Sequence, residues 1–426
     1  MIMPGTSKIP AWFATLILVI TIACAQTDTT APGPGDSPVK GEDQVPPQKI
    51  ADPRLAYPAH GGSAVLSWTA PRNDADHDTV HRYEIRHAYS SPLDWDASIP
   101  AADPPAPIAE GQSQSYEFTD PARGRDLYAA IRSFDKAGNA SPVSDVTHVH
   151  IAGLNLEGRC TEAMSGQSIA GLYVEITERR VHQLNSDDYG QYSLNDVASG
   201  VTNILLRSGA STPIYHDYRL AIDLSDDASL EHLMIEYQPA ENPAADNILI
   251  LLLQAAGIPG ERPRLRKWQS YPIAVYVPPL VNQDEIDYED YCKRAVQHWN
   301  DRTGLHLFTL VGAPPDDGMT MRFKTRSEMG GIHIGLTRWE EDEDGYPTKA
   351  YVDIIDEFSD PDRLWKVALH ELGHTIRLEH LPDGYLMYQS HPLPDSPTND
   401  EVLMVQLYMA LPNDYDLAVY GLSRPR

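Results

Sequence analysis

The chain has 426 residues, 42% of them hydrophobic, and a formal net charge of −28. That length suits about three domains with real cores rather than one. The acidity excludes a nucleic-acid partner, since phosphate binding needs clustered Lys and Arg, and says little else beyond solubility.

Residues 1–25 read as a signal peptide: Lys8, then an apolar run over 11–22 too short to span a bilayer, then small residues. Two processing readings stand. Ala23-Cys24-Ala25 fits an A-x-A cleavage site, whereas Thr21 to Cys24 resembles a bacterial lipoprotein box with Thr21 where Leu is usual. Either predicts a secreted or extracytoplasmic protein, attached to a membrane only through a lipid on Cys24. Residues 26–48 are a polar, Pro/Gly-rich linker. Cys160 and Cys292 remain; each sits on an apolar face, so both are expected buried and unpaired.

Residues 49–151 alternate with period two: Ala64, Leu66 and Trp68, then Tyr83 and Ile85, then Leu127, Ala129 and Ile131. With turn signals every dozen or so residues, this predicts an antiparallel sandwich. Trp68, Tyr83 and the "D-x-A-G-N-x-S-P" run from Asp135 resemble a fibronectin type III domain, which implies a spacer or binding module. Residues 152–239 carry a second β pattern whose segments 158–176 and 186–200 resemble the carboxypeptidase regulatory-like sandwich. Residues 240–266 read as a linker around the short apolar run "ILILLLQAAG", a packing segment rather than a membrane span.

From 267 to 426 the character becomes mixed α/β. Strands are expected at "YPIAVYVPP", "LHLFTLV", "MTMRFKT", "GIHIGLTRW" and "KAYVDII", with helices at "DYEDYCKRAVQHWNDRTG", "DPDRLWKVALHELGHTIRL" and "TNDEVLMVQLYMAL". In the second helix Asp360 is the cap and Pro361 fits the first turn. Trp365, Leu369, Leu372 and Ile376 form its apolar back.

His370 and His374 lie one turn apart on another face of this helix, so both imidazoles can reach one ion at about 2.0–2.1 Å. Glu371 falls beside that ion without being a ligand, where a zinc-activated water needs a proton acceptor. A catalytic zinc has three protein ligands, and His380 beyond the helix end is the candidate third. Met387 follows seven residues later.

His370, Glu371, His374 and His380, with Leu386-Met387-Tyr388 behind them, resemble the metzincins, nearest the matrixin branch. The order of elements and the "W-N-x-x-T-G" ending at Gly304 are also similar. The resemblance implies an α+β catalytic domain with a twisted mixed sheet, a zinc helix, a Met-turn and a C-terminal helix, following two all-β sandwiches. It implies Zn2+ held by His370, His374 and His380, Glu371 as general base, Met387 as a structural floor, and a protein or peptide substrate added to an edge strand near 331–339. No "P-R-C-G" latency motif is present, and the histidines of a second, structural zinc are not evident; His333 reads as an ordinary strand residue. The acidic run 340–344 could bind Ca2+ or be a solvated loop.

Arg377 stands where the family usually has a glycine ending the helix in a left-handed residue. A side chain there costs about 1–2 kcal/mol, so the turn is tolerable and Arg377→Gly is expected to keep or slightly raise stability and activity. In the alternative, the helix runs on, His380 misses the ion, and Glu401 is the third ligand. The functional expectation is a secreted or lipid-anchored zinc endopeptidase. The alternative is a non-catalytic adhesion or binding protein keeping the same scaffold.

Overall fold

The computed structural model describes residues 43–420, apart from 59–61, 74–78, 211, 244 and 256–263. The signal segment and both readings of Cys24 lie outside the described residues.

The first unit contains β1 (Arg54–Ala56), β2 (Ala64–Thr69), β3 (Arg82–Ala88), β4 (Ile99–Pro100), β5 (Ser113–Phe118), β6 (Arg125–Phe134) and β7 (Thr147–Ile151). They build two facing antiparallel sheets, ordered β1-β2-β5 and β4-β3-β6-β7. The period-two residues fill the space between: Ala64, Leu66, Trp68, Tyr83, Ile85, Leu127 and Ile131 are all buried. Trp68 meets Tyr83 edge to face at 5.2 Å. Asp135 accepts hydrogen bonds from the backbone and side-chain nitrogens of Asn139, fixing the turn after β6.

The second unit contains β8 (Leu154–Glu162), β9 (Tyr173–Thr177), β10 (Val181–Asn185), β11 (Gln191–Val197), β12 (Gly200–Arg207), β13 (Tyr218–Leu224) and β14 (Ala228–Met234). Its sheets run β10-β9-β12-β13 and β11-β8-β14, with β14 parallel to β8. The two sandwiches meet tightly. A Cβ on Gly153 would stand 2.4 Å from the Asp196 backbone, and one on Gly124 2.6 Å from Ala198. His150 bridges the joint, its two ring nitrogens facing Asp126 at 2.9 Å and Asp196 at 3.0 Å.

The third unit contains α1 (Ile248–Ala255), β15 (Ile273–Tyr276), α2 (Tyr288–Thr303), β16 (Phe308–Val311), β17 (Gly318–Lys324), β18 (Gly335–Glu341), β19 (Pro347–Ile355), α3 (Pro361–Thr375) and α4 (Asn399–Ala410). Its sheet is ordered β16-β15-β17-β19-β18; four strands are parallel and β18 closes one edge antiparallel to β19. The chain as a whole is β-dominated, two sandwiches preceding one mixed sheet with helices.

The helix ends follow their capping residues. Asp287 caps α2, which stops at Gly304 (φ 67°); Asp360 caps α3 with Pro361 in its first turn; Thr398 and Glu401 form a reciprocal capping box on α4. The Trp299 indole N–H donates to the Leu369 carbonyl at 2.9 Å, fastening α2 across α3. Cys160 and Cys292 are buried and unpaired, as expected.

Two local expectations shift. The edge strand starts at Gly335 rather than near 331, because Gly330 (φ 73°) and Gly331 (φ 79°) break the extended run. On α3 the buried back includes Leu364, Leu369, Leu372 and Ile376; Trp365 is only half-buried, donating its indole N–H to the Asp395 carbonyl.

Candidate metal centre

The site lies where α3 crosses the edge of the sheet at β18. Its residues share a cleft of about 470 Å³ lined also by Leu336, Val367, Tyr388 and Leu393.

His370 and His374 project from α3 on the side facing the turn at 385–388. The His370 Nδ1–H donates to the Leu386 carbonyl at 2.8 Å, and the His374 Nδ1–H to the Leu378 carbonyl at 2.6 Å. Both Nε2 atoms are therefore bare lone pairs, and they face each other at 3.1 Å. Two imidazole lone pairs at that distance repel unless a cation sits between them. A tetrahedral zinc with bonds of about 2.0–2.1 Å places neighbouring ligand nitrogens roughly 3.3 Å apart. Burial pushes the pKa of His370 down to about 4 and that of His374 to about 3, so both rings are neutral at pH 7, the form in which an imidazole can ligate a metal.

The chain returns His380 to the same point. Arg377 takes a left-handed conformation (φ 70°), the Leu378 N–H bonds back to Gly373, and the Leu381 N–H bonds to Met387. One ligand atom from each of His370, His374 and His380 then lies within 4.8 Å of the others. Among the described residues, this is where three such side chains converge. The donor set fits a divalent ion of the zinc type.

Glu371 is buried beside the histidines, and burial raises its carboxyl pKa to about 7. The Thr337 hydroxyl on β18 lies 2.7 Å from the Glu371 Oε2 and 3.0 Å from the Glu371 backbone carbonyl oxygen. Its other oxygen lies against Gly335, where a Cβ would stand 2.4 Å from Oε1. A glycine at the start of the edge strand thus makes room for the carboxylate.

Met387 packs against α3 at Gly373. A Cβ on Gly373 would come within 2.2 Å of its sulfur, so helix and turn are in direct contact. Glu401 holds that turn, accepting the backbone N–H of Met387 at 2.9 Å and of Leu386 at 3.1 Å while closing its own capping box with Thr398. The alternative of Glu401 as third ligand is therefore corrected, because its oxygens are committed to backbone donors. Asp400 next to it accepts the Tyr385 hydroxyl and the N–H groups of Glu241 and Asn242.

The acidic run 340–344 folds on itself. Asp342 accepts the N–H groups of Asp344 and Tyr346, and Glu341 pairs with Arg377 at 2.5 Å. Sequence reading missed Gly335, Thr337, Gly373 and the clamp by Glu401. Each depends on a contact distant in the chain, and only the S/T-x-x-E pattern Thr398–Glu401 was a visible signal.

No protein-family model matches the chain. Among curated proteins, human calcium-activated chloride channel regulator 1 is 34% identical over 119 residues, 26% of this chain and 13% of that protein. The protein of the same name from Macaca mulatta is 33% identical over 119 residues. The chain spans only that small part of these relatives.

Similar solved structures are sandwich proteins. The FN1–FN3 domains of chicken CNTN1 are 14% identical, covering 43% of this chain and 68% of that one, with a TM-score of 0.22. An Fn3-like protein from Clostridium thermocellum is 16% identical, covering 26% and 98%, with a TM-score of 0.19. BcpA, the major pilin subunit of Bacillus cereus, is 10% identical, covering 45% and 69%, with a TM-score of 0.20.

These findings correct the family expectation. With the similar structures being fibronectin type III-like and pilin sandwiches, membership of the metzincin, matrixin-like family is overturned. The metalloprotease label that followed from it goes too, as does the carboxypeptidase regulatory-like assignment of 152–239. The physical reason is that a histidine constellation is a local arrangement, and a local arrangement does not fix a fold family. The fibronectin type III-like character is retained.

Proposed function

We propose that His370, His374 and His380 hold one Zn2+ ion and that the cleft hydrolyses peptide bonds, with Glu371 as general base. The observation that carries this reading is the pairing of two bare imidazole Nε2 atoms at 3.1 Å with a buried carboxyl one residue away. A bound divalent ion supplies Lewis-acid polarisation of a carbonyl and a more acidic water.

The chain's own groups do the rest. The outer edge of β18, unpaired in the sheet order, offers backbone groups to an extended peptide. Glu371, oriented by Thr337, takes a proton from the attacking water as the new C–O bond forms. It then delivers that proton to the leaving nitrogen as the C–N bond breaks. Leu336, Val367 and Leu393 give the cleft apolar walls.

A second reading is favoured by the sandwich units and their likeness to fibronectin type III-like and pilin structures. Here the chain is an extracytoplasmic adhesion or binding protein that engages protein partners, and the metal centre only stiffens its last unit. Among the described residues no helix is long and apolar enough to cross a membrane.

The two readings separate on cleavage of an unbiased peptide library by zinc-loaded wild type and Glu371→Gln. The first requires cleavage by wild type and a loss of roughly 100-fold or more in the variant. Zinc bound by both with no cleavage by either supports the second.

A further inference from the structure

We infer that Arg377 is a positioning residue: its side chain clasps the edge strand β18 to the turn that brings His380 into the metal centre. The inference rests on the peptide-hydrolysis reading, because it assigns Arg377 the task of setting the substrate edge relative to the ligands.

Two observations meet here. The first is in the backbone: Arg377 is left-handed at φ 70°, a conformation that glycine adopts freely and that an L side chain strains. Glycine would make the turn at lower cost, so whatever arginine supplies comes from its side chain.

The second is where that side chain goes. It is only 17% exposed; Nη1 meets the Glu341 carboxylate at 2.5 Å, and the guanidinium lies over the Trp339 ring at 5.4 Å. Both partners belong to β18, and Trp339 lines the cleft. Two residues before Trp339, Thr337 holds Glu371. One residue thus joins the turn that delivers the third ligand to the strand that orients the base and presents the free edge.

The clasp sits where β18 needs it. The pairing of β18 with β19 slips between Glu340 and Glu341, so the strand's last residues have lost regular register. Arg377 grips the strand at and just before that slip. A planar, forked cation suits the paired task of facing a carboxylate and stacking on an indole, and a lysine would reproduce only the charge.

The test uses the full, zinc-loaded chain, with Arg377→Gly, Arg377→Lys and Glu341→Gln. Hydrogen exchange of the Trp339 to Glu341 amides is followed together with the kinetics on an extended peptide. Arg377→Gly is expected to bind zinc with unchanged stoichiometry and to exchange these amides roughly fivefold faster. Its KM is expected to rise about threefold or more with kcat within about twofold, the signature of lost substrate positioning. Glu341→Gln follows in the same direction, and Arg377→Lys falls between.

Exchange and KM both unchanged in Arg377→Gly overturn the clasp. If the wild type cleaves no peptide, the peptide-hydrolysis reading fails instead. The exchange rates then decide the clasp alone: faster exchange upholds the tie to β18, and unchanged exchange removes it.

Discussion

The sulfur of Met387 lies against Gly373, so closely that a single added methyl on the glycine would stand 2.2 Å from it. This contact sets the distance between the helix that carries His370 and His374 and the turn whose Leu386 carbonyl accepts the His370 Nδ1–H. Gly373→Ala gains helix propensity of up to about 1 kcal/mol, but overpacking against Met387 costs about 1–3 kcal/mol. The net expectation is a lower denaturation midpoint and weaker zinc binding, read by chemical denaturation and metal titration. Added Met387→Ala should relieve the clash at 373 while leaving a cavity, so the double variant departs from additivity.

Glu401 reaches the proposed metal centre through the turn at 386–387. It holds the N–H groups of Leu386 and Met387, and the Leu386 carbonyl in turn fixes the His370 ring. Glu401→Ala leaves buried donors without partners, each worth about 1–3 kcal/mol. Zinc affinity is expected to fall roughly 10- to 100-fold, as for other outer-shell losses. Competition with a chelator measures it; an unchanged affinity with lowered stability confines Glu401 to the fold.

Thr337 is the hydroxyl within reach of the buried Glu371 carboxyl. Thr337→Val keeps the shape and strands the Glu371 oxygen, for a loss of about 1–3 kcal/mol. Thr337→Ser should recover most of it. Urea denaturation of the three chains gives the comparison.

The joint between the sandwiches is sensitive to pH through His150. Both ring nitrogens face carboxylates, so both must carry protons to keep the bridge. Hydrogen bonds from the ring to Asp196 first and then to Asp126 raise the His150 pKa above its ordinary value. A raised histidine contributes stability fully below its unfolded pKa of about 6.5 and loses it as pH rises through the higher folded value. The stability difference between wild type and His150→Ala should thus be largest near pH 6 and shrink towards pH 9. It should also fade in acid once Asp126 and Asp196 protonate. A thermal-melt series across pH reads it, and a difference that grows with pH contradicts the assignment.

Much of this was legible in the sequence because it is local. Period-two alternation marked β2, β3 and β6 of the first sandwich, and the spacing of His370 and His374 placed them on a shared helix face. Asp360, Pro361 and Gly304 marked helix ends through their own backbone preferences. What stayed hidden is long-range. Gly335 clears space for a carboxylate 36 positions later, and Glu401 clamps a turn 14 and 15 positions earlier. Arg377 looked like a tolerated defect because its partners, Trp339 and Glu341, are 38 and 36 positions away. The family expectation failed for the opposite reason: a strong local motif was read as evidence about a whole domain.

The proposed function depends on His370, His374 and His380 binding one metal ion. Zinc-edge X-ray absorption on the full chain, with His380→Ala as the comparison, tests it most directly. Binding by the three histidines gives one zinc per chain with three imidazole nitrogens at about 2.0–2.1 Å, falling to two in the variant. A shell with fewer than three imidazoles, or one that His380→Ala leaves unchanged, would contradict it.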